Sequence, residues 1–433
     1  MLIVSKTLSL PLPWNPEDPD FWAGRGRVVA RRNLGFAIPA LALSFAVWML
    51  WSVLVVHLPA AGFRYSTNQL FWLSALPALC GATLRIFYGF AVPWIGGRRW
   101  TALSTASLLL PTGGIALAVQ DPNTPFEWMV VLALLCGLGG ANFASGMAHI
   151  SACFPAREQG VALGLGAGFG HLGVGLVQWA VPLVIGSGFF GLPGLANAGL
   201  VWLPLIVGAS LAAWFGMDDL PGHGVGMTEQ AELFTRRHSW LMSWLYLGSF
   251  GSFIGFAAAY PLLLRSQFPG LDAAQQLVWL GPLLGALARP LGGWAADLCG
   301  GARISLACFG VMAVGVVGVL ASEGRALLFV ASFALLFVAA GIANGSTFRM
   351  VPLGFLREGR GSPREAQAQG AAALGLCSAV GAYGGFFIPK SFGSAIALAG
   401  GPEAALYCFL AFYLSCMAIC WWFYGRPHAP LSC

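Results

Sequence analysis

The sequence predicts an all-α integral membrane protein of twelve transmembrane helices, arranged as two six-helix, pseudo-symmetric halves. Three observations predict it. Of the 433 residues, 58% are apolar and only 9% are charged, about a third of the charged share of a soluble domain. Apolar runs of roughly 20 residues or more, each long enough to cross a ~30 Å hydrocarbon core as a helix, follow one another along the whole length. The second half of the chain then repeats motifs of the first half, in order, about two hundred residues later. No separate soluble domain is expected.

Residues 1–33 carry Glu17, Asp18 and Asp20, followed by Arg25, Arg27, Arg31 and Arg32. They read as a cytoplasmic segment, partly helical, lying along the headgroups. Met1 to Trp14 holds one lysine and a short apolar stretch broken by Pro11 and Pro13, without the basic end and apolar core of a cleaved signal peptide. Six apolar segments follow at 34–58, 70–95, 100–119, 127–153, 158–186 and 195–216, which together form an N-terminal bundle over 34–216. The polar stretch Asp218 to His238 divides the chain near its midpoint, so 217–238 reads as a cytoplasmic linker. Segments at 239–267, 272–298, 302–321, 326–350, 368–399 and 403–425 form the C-terminal bundle, 239–425, before a tail at 426–433.

An even number of crossings puts both termini on one side. If that side is the cytoplasm, the inside loops and tails hold fifteen of the 22 lysines and arginines, including Lys6, Arg98, Arg99, Arg303, Arg357, Arg360 and Arg364. The outside loops hold only Arg64, Arg265 and Arg325, as the positive-inside rule requires. The formal charge of +6 is thereby explained by topology, and no nucleic-acid partner is expected. The ten cysteines mostly lie within apolar runs, with no CxxC pair or Cys/His cluster, so neither a metal nor a redox cofactor is expected. Cys416 and Cys420, one turn apart, read as packing or lipid-facing residues.

The repeat is carried by three matched pairs. Gly81-Ala-x-x-Arg85 is followed by Gly96-Gly97-Arg98, and Gly285-Ala-x-x-Arg289 by Gly300-Gly301-Ala302-Arg303. In the fifth segment Ala162-Leu-Gly-Leu165 leads to Gly170 and Gly173; in the eleventh Ala373-Leu-Gly-Leu376 leads to Gly381 and Gly384 at the same spacing. The fourth and tenth share Ala141-Asn142 and Ala343-Asn344. Such internal repeats mark transporters that place a binding site at midplane between two bundles.

Sorting the charges by depth singles out Arg85 and Arg289. Arg349 and Lys390 also fall within apolar segments, but near their ends, where they read as snorkelling anchors. No aspartate or glutamate lies in the middle of any segment; Asp297 is at the inner end of its own. A charge at the bilayer centre costs at least ~2.5–3.5 kcal/mol on insertion scales, and arginine cannot escape by losing its proton. An anion offsets that cost, and the guanidinium fork suits a planar oxyanion. The competing reading is that each arginine snorkels or binds helix carbonyls. Gly81 and Gly285, one turn before the arginines, leave room either for the guanidinium and a ligand or for a close-packed helix.

The fifth segment, with Gly164, Gly166, Gly168, Gly170 and Gly173, and the eleventh, with Gly381, Gly384 and Gly385, carry too much glycine for ordinary helices. Small residues at these spacings suit helices that line a pocket or slide at a moving interface. Phe45, Asn142, Phe143, His171, Tyr246, Phe250 and Ser391 project from apolar segments and could complete the pocket. His171 is the only histidine near the middle of a segment. It is either a neutral imidazole bonded to a neighbouring oxygen or a group that touches ligand or proton.

At these residues the chain resembles the NarK-type nitrate/nitrite porters of the major facilitator superfamily, from Pro16-Glu-Asp-Pro-Asp-Phe-Trp22 through Tyr424-Gly-Arg426. The family's two glycine-rich signatures resemble the fifth-segment run ending in Gln178 and the eleventh-segment run from Ala373 to Pro389, with Lys390 and Ser391. The resemblance implies a rocker-switch porter, not an enzyme, whose paired arginines hold nitrate or nitrite, most simply as an antiporter. A nitrate–proton symporter using His171 is the alternative, and a passive anion channel fits less well. It further implies that Phe45, Phe143, Tyr246 and Phe250 form an aromatic cage and gates. The implied setting is the lipid bilayer of the inner (cytoplasmic) membrane, with both termini cytoplasmic, no cofactor, and a monomer as the working unit. One departure stands out: the first signature usually has asparagine beside its central glycine, and this chain has His171.

Overall fold

The structure, a computed structural model, describes residues 14–187, 194–220, 233–271, 275–358, 363–427, 429 and 431. Lys6 and Arg360, the middle of the linker and the first residues of the eighth segment lie outside the described residues, as do the side chains of Arg357 and Arg364. Among the described residues all regular structure is helical. Eleven helices are long and apolar enough to cross a membrane: α1 (Pro19–His57), α2 (Thr67–Tyr88), α3 (Gly97–Ala118), α4 (Phe126–Cys153), α5 (Arg157–Gly186), α6 (Gly194–Gly216), α7 (Arg237–Gln267), α9 (Gly301–Leu320), α10 (Ala326–Phe355), α11 (Ala372–Ala399) and α12 (Glu403–Gly425). The eighth expected crossing is α8 (Leu280–Cys299), 20 residues long. Its apolar character is diluted by Arg289, Pro290, Gly292, Gly293 and Asp297.

The first helix departs from the sequence reading. Asp18 caps its start, accepting from the amides of Asp20 and Phe21 with Pro19 in the first turn, and the helix then runs without interruption into the membrane. Residues 19–33 are thus the first turns of α1 and not a separate surface segment. The reason lies on one helical face: Trp22, Val29, Ala30, Asn33 and Ala37 are all buried, a spacing of threes, fours and sevens. The Trp22 indole donates to Glu158 at the start of α5 (2.9 Å), and Asn33 accepts from the Asp218 amide (2.9 Å).

Packing repeats between the halves. In the first, α2 lies on α4 and α1 on α5; in the second, α8 lies on α10 and α7 on α11. The halves meet where α2 faces α11, α5 faces α8 and α1 faces α7. The turn after each deep arginine is also repeated: Gly96 (φ 95°) and Gly300 (φ 91°) are left-handed, each eleven residues past its arginine, where a side chain would be strained.

At the end of the bundle carrying the chain termini, ion pairs tie helices within a half. Arg32 pairs with Asp218, Arg98 with Asp219 (3.2 Å) and Arg349 with Asp297 (2.8 Å). Arg349 is therefore an α10–α8 clasp as well as a helix-end cation. At the opposite end Lys390 does not simply snorkel: its ammonium donates to Asn68 of α2 (3.2 Å) and lies 4.5 Å from the Trp72 ring.

Gly173 and Gly164 on α5 show how differently two glycines of one run behave. A methyl group at Gly173 would drive into the Ala42 carbonyl of α1, whereas one at Gly164 meets open space. Gly173→Ala is expected to destabilise the protein by roughly 1–3 kcal/mol, as overpacking does. Gly164→Ala is expected to gain up to about 1 kcal/mol of helix propensity. Melting curves of the two purified variants, without added anion, check the opposite signs.

Candidate anion-binding site

Arg85 sits on α2 where glycine lets three helices approach. A Cβ at Gly81 would lie 2.9 Å from Trp48 Nε1 and 3.0 Å from the Gly137 carbonyl, and one at Gly140 would press on the Trp48 ring. Gly285 is equally confined, its Cβ falling 2.8 Å from both the Phe253 ring and the Phe337 carbonyl. Both glycines before the arginines therefore serve close helix packing.

The Arg85 guanidinium is buried. Its Nε donates to the Gly140 carbonyl of α4 (2.8 Å) and its Nη1 to the Ser378 carbonyl of α11 (2.9 Å). Its Nη2, also buried, has no hydrogen-bond partner. The rings of Trp48 and Phe143 lie 4.9 Å from the guanidinium carbon and that of Phe250 lies 5.3 Å away.

Arg289 is likewise buried, but it reaches the other half through a side chain. Its Nη1 donates to His171 of α5, 2.6 Å from Nδ1 and 3.3 Å from Nε2, with the Phe348 ring 5.0 Å from the guanidinium carbon. A nitrogen that accepts from a guanidinium carries no proton itself, so His171 is a neutral acceptor here. Its ring is caged by Phe45 (4.7 Å), Phe250 (5.3 Å), Phe253 (5.5 Å) and Phe143 (5.9 Å). The Tyr246 hydroxyl lies within electrostatic reach of both arginines and close enough to Arg289 to receive its N–H, but its own proton has no acceptor.

The structure thus gathers Arg85, Arg289, His171, Tyr246, Phe45, Phe143 and Phe250 into one centre. Among the described residues no carboxylate pairs with either arginine; the ion pairs lie toward the helix ends. Asn142 is not part of the cluster: its amide donates to Ser44 Oγ (2.9 Å) and the Ser104 carbonyl (3.2 Å), pinning α4 to α1 and α3. Ser391 lies half-buried beside Lys390, farther toward the end opposite the termini.

The glycines divide in the same way. Gly381 abuts the Tyr246 ring (2.7 Å for a built Cβ), Gly170 faces Phe45 (3.5 Å), and Gly385 meets Ala78 across the α2–α11 contact (2.7 Å). Gly166 packs on Ile150, while Gly173 and Gly384 pack against the backbones of Ala42 and Gly251. Gly164 and Gly168 face open space and line no part of the cluster. Trp48, Phe253 and Phe348 belong to the centre and were not singled out by sequence. The available signal was that Trp48 and Phe253 stand one turn after Phe45 and Phe250 on the same faces.

Two six-helix halves that meet around a buried, charged centre define a secondary transporter. Residues 36–389 match the Major Facilitator Superfamily. The chain is 45% identical to the nitrate/nitrite transporter NarU of Salmonella typhimurium, over 95% of this chain and 96% of that protein. It is 44% identical to NarU of Escherichia coli over the same shares. It is 37% identical to a Thermus thermophilus protein named "Probable nitrate/nitrite antiporter NarK2", over 97% of each. The chain belongs to the Major Facilitator Superfamily and, within it, to the family of these NarU and NarK relatives.

Lysine at position 85 keeps the charge but loses the planar fork whose separate Nε and Nη1 meet the Gly140 and Ser378 carbonyls. Since a hydrogen bond from a charged group contributes about 1.5–3 kcal/mol, Arg85→Lys is expected to lower thermal stability clearly. An unchanged melting temperature would contradict the two-carbonyl anchorage.

Proposed function

We propose that the protein exchanges nitrate for nitrite across the inner (cytoplasmic) membrane, binding one anion at a time between Arg85 and Arg289. The observation that carries this reading is an unmet demand: the buried Arg85 Nη2 and Tyr246 hydroxyl have no hydrogen-bond acceptor, in a centre with two cations and no paired carboxylate. An oxyanion supplies both charge and acceptors. A planar anion suits these surroundings, because the guanidinium fork presents parallel donors and both guanidiniums are flanked by the rings of Phe143, Phe250 and Phe348. The names carried by the NarU and NarK2 relatives support the same substrates.

Exchange follows from electrostatics. An empty centre would carry two buried cations through the occluded state, whereas a loaded one is partly neutralised, so return without an anion is slow. His171 favours this reading over proton symport, since its accepting nitrogen is engaged by Arg289. The working arrangement is two bundles, 34–216 and 239–425, in a monomer with both termini in the cytoplasm, as the positive-inside bias supports.

Proteoliposomes loaded with nitrite and given labelled nitrate test the proposal. Uptake is expected to depend on internal nitrite and to fall about 10- to 100-fold in Arg85→Lys and in Arg289→Lys, the size of one charged hydrogen bond. His171→Asn is expected to retain exchange. Equal uptake with and without internal nitrite overturns exchange. Uptake driven by a pH gradient and lost in His171→Asn establishes symport in its place.

A further inference from the structure

Gln178 lies on α5 two turns beyond His171, within the part of the helix toward the end opposite the termini. It is almost fully buried in the contact between α5, α1 and α7. Its Nε2 donates one proton to the Ala257 carbonyl of α7, in the other half (2.8 Å), and one to Ser52 Oγ of α1 (3.1 Å).

The Ala257 carbonyl is available for a physical reason. In a regular helix it would accept from the amide of residue 261, and that residue is Pro261, which lies inside α7 and has no N–H. The proline strands an acceptor in an apolar interface, where an unmet carbonyl is costly, and Gln178 supplies the donor from across the interface. The other arm ends at a second irregularity. Ser52 passes its own proton to the Met49 carbonyl (2.7 Å), and Met49 is the residue at which α1 leaves helical geometry (φ −95°, ψ 6°). One amide therefore joins the two broken points of α1 and α7, the helices that face each other between the halves.

The geometry points to Gln178 as the positioning residue that holds the far end of the transporter shut, by filling the acceptor that Pro261 leaves on Ala257. It touches neither Arg85 nor Arg289 and acts through the approach of α5 to α7. Alternating access requires that end to part, and parting strands both the Gln178 amide and the Ala257 carbonyl. The bond therefore biases the equilibrium toward the closed far end. On the opposite interface Lys390 and Asn68 make a second cross-half bond at the same end, half-exposed and so weaker. Within the superfamily repeat no second copy of the buried latch is available, because the residue matching Gln178 in α11 is Pro389. The latch follows from the fold and stands whichever anion is carried.

Pro261 makes the inference testable by a double-mutant cycle. Spin labels attached through a ketone amino acid at exposed Ser187 and Gln276 report the separation of α5 and α8 at the far end in the full-length protein. In the unsubstituted protein the short distance is expected to dominate. Gln178→Leu removes the donor, and Pro261→Ala returns the Ala257 carbonyl to its own helix. Each is expected to raise the ratio of long to short distances about 3- to 15-fold, the effect of losing one interhelical hydrogen bond in a bilayer.

The double variant is expected to match a single one, because both changes break the same bond. The apparent KM for anion on the two faces should shift in opposite directions in each variant. Unchanged distances in either single variant overturn the latch, as does a double variant whose shift is the product of the two singles. Should Gln178→Leu fail to fold, Pro261→Ala alone decides, since it leaves every side chain of the anion centre in place. Loss of exchange with an unaltered distance distribution would count against the latch and not against the anion site.

Discussion

Everything in this structure answers to two guanidinium groups that cannot lose their protons in a region without carboxylates of its own. The protein offsets that cost in unequal ways. Arg85 gives two hydrogen bonds to carbonyls, from Gly140 and Ser378, and is flanked by three rings. Hydrogen bonds from a charged donor contribute about 1.5–3 kcal/mol and a desolvated cation–π contact up to about 2 kcal/mol. Both exceed or match the ~2.5–3.5 kcal/mol insertion cost when summed for Arg85. Arg289 bonds the His171 imidazole, lies within reach of the Tyr246 hydroxyl and is flanked by one ring. Of the two arginines, Arg85 is the one left with a buried nitrogen that has no partner, its Nη2, so the unmet demand of the centre lies on the Arg85 side.

The internal repeat builds the scaffold, and departures from it build the chemistry. Both halves turn on a left-handed glycine eleven residues after the arginine, and both stack the arginine helix on its partner through glycines. At the corresponding positions of α5 and α11, however, His171 is matched by Ala382 and Gln178 by Pro389. On α5, His171 reaches across to Arg289 and Gln178 to Ala257, both buried, whereas on α11 Tyr383 reaches Thr83 and Lys390 reaches Asn68 of α2 at more exposed positions. Arg85 crosses the other way, to a backbone carbonyl of α11. The two halves thus grip each other asymmetrically although their backbones follow one plan.

What could be read in the sequence was whatever is conspicuous against an apolar background. The crossings, the repeat and the paired arginines stand out because charge and glycine are rare signals in a lipid-spanning chain. The partners of the arginines were harder to read, because the Gly140 and Ser378 carbonyls are backbone atoms that every residue carries. Asn142 looked like a ligand residue because it is polar and deep, yet its amide is spent on Ser44 and Ser104. Residues 19–33 looked like a surface segment because their charges hid the buried face of Trp22, Ala30 and Asn33. Spacing alone could not separate Gly164 from Gly173, since the difference lies in which helix stands opposite.

The placement of those glycines bears on how the halves move. Within a half, Gly173 meets the Ala42 backbone, Gly139 the Ser44 carbonyl, Gly384 the Gly251 backbone and Gly345 the Arg289 carbonyl. Backbone pressed on backbone has no rotamer through which to yield, so each half is stiff where it is densest. Between the halves side chains carry more of the close contacts: Gly385 faces the Ala78 methyl and the Ile254 side chain, Gly393 faces the Phe71 side chain, and a Cβ on Gly175 would lie 3.4 Å from Leu283. Ile254 belongs to the same half as Gly385, so the part of that contact that crosses the interface is a single methyl group. Side chains can yield where backbone cannot, and the polar cross-half bonds supply a preference for one position over another. Stiff halves, an interface of side chains that can yield and a few polar catches make a two-position device, in which a hydrogen bond of ordinary strength is enough to choose the position.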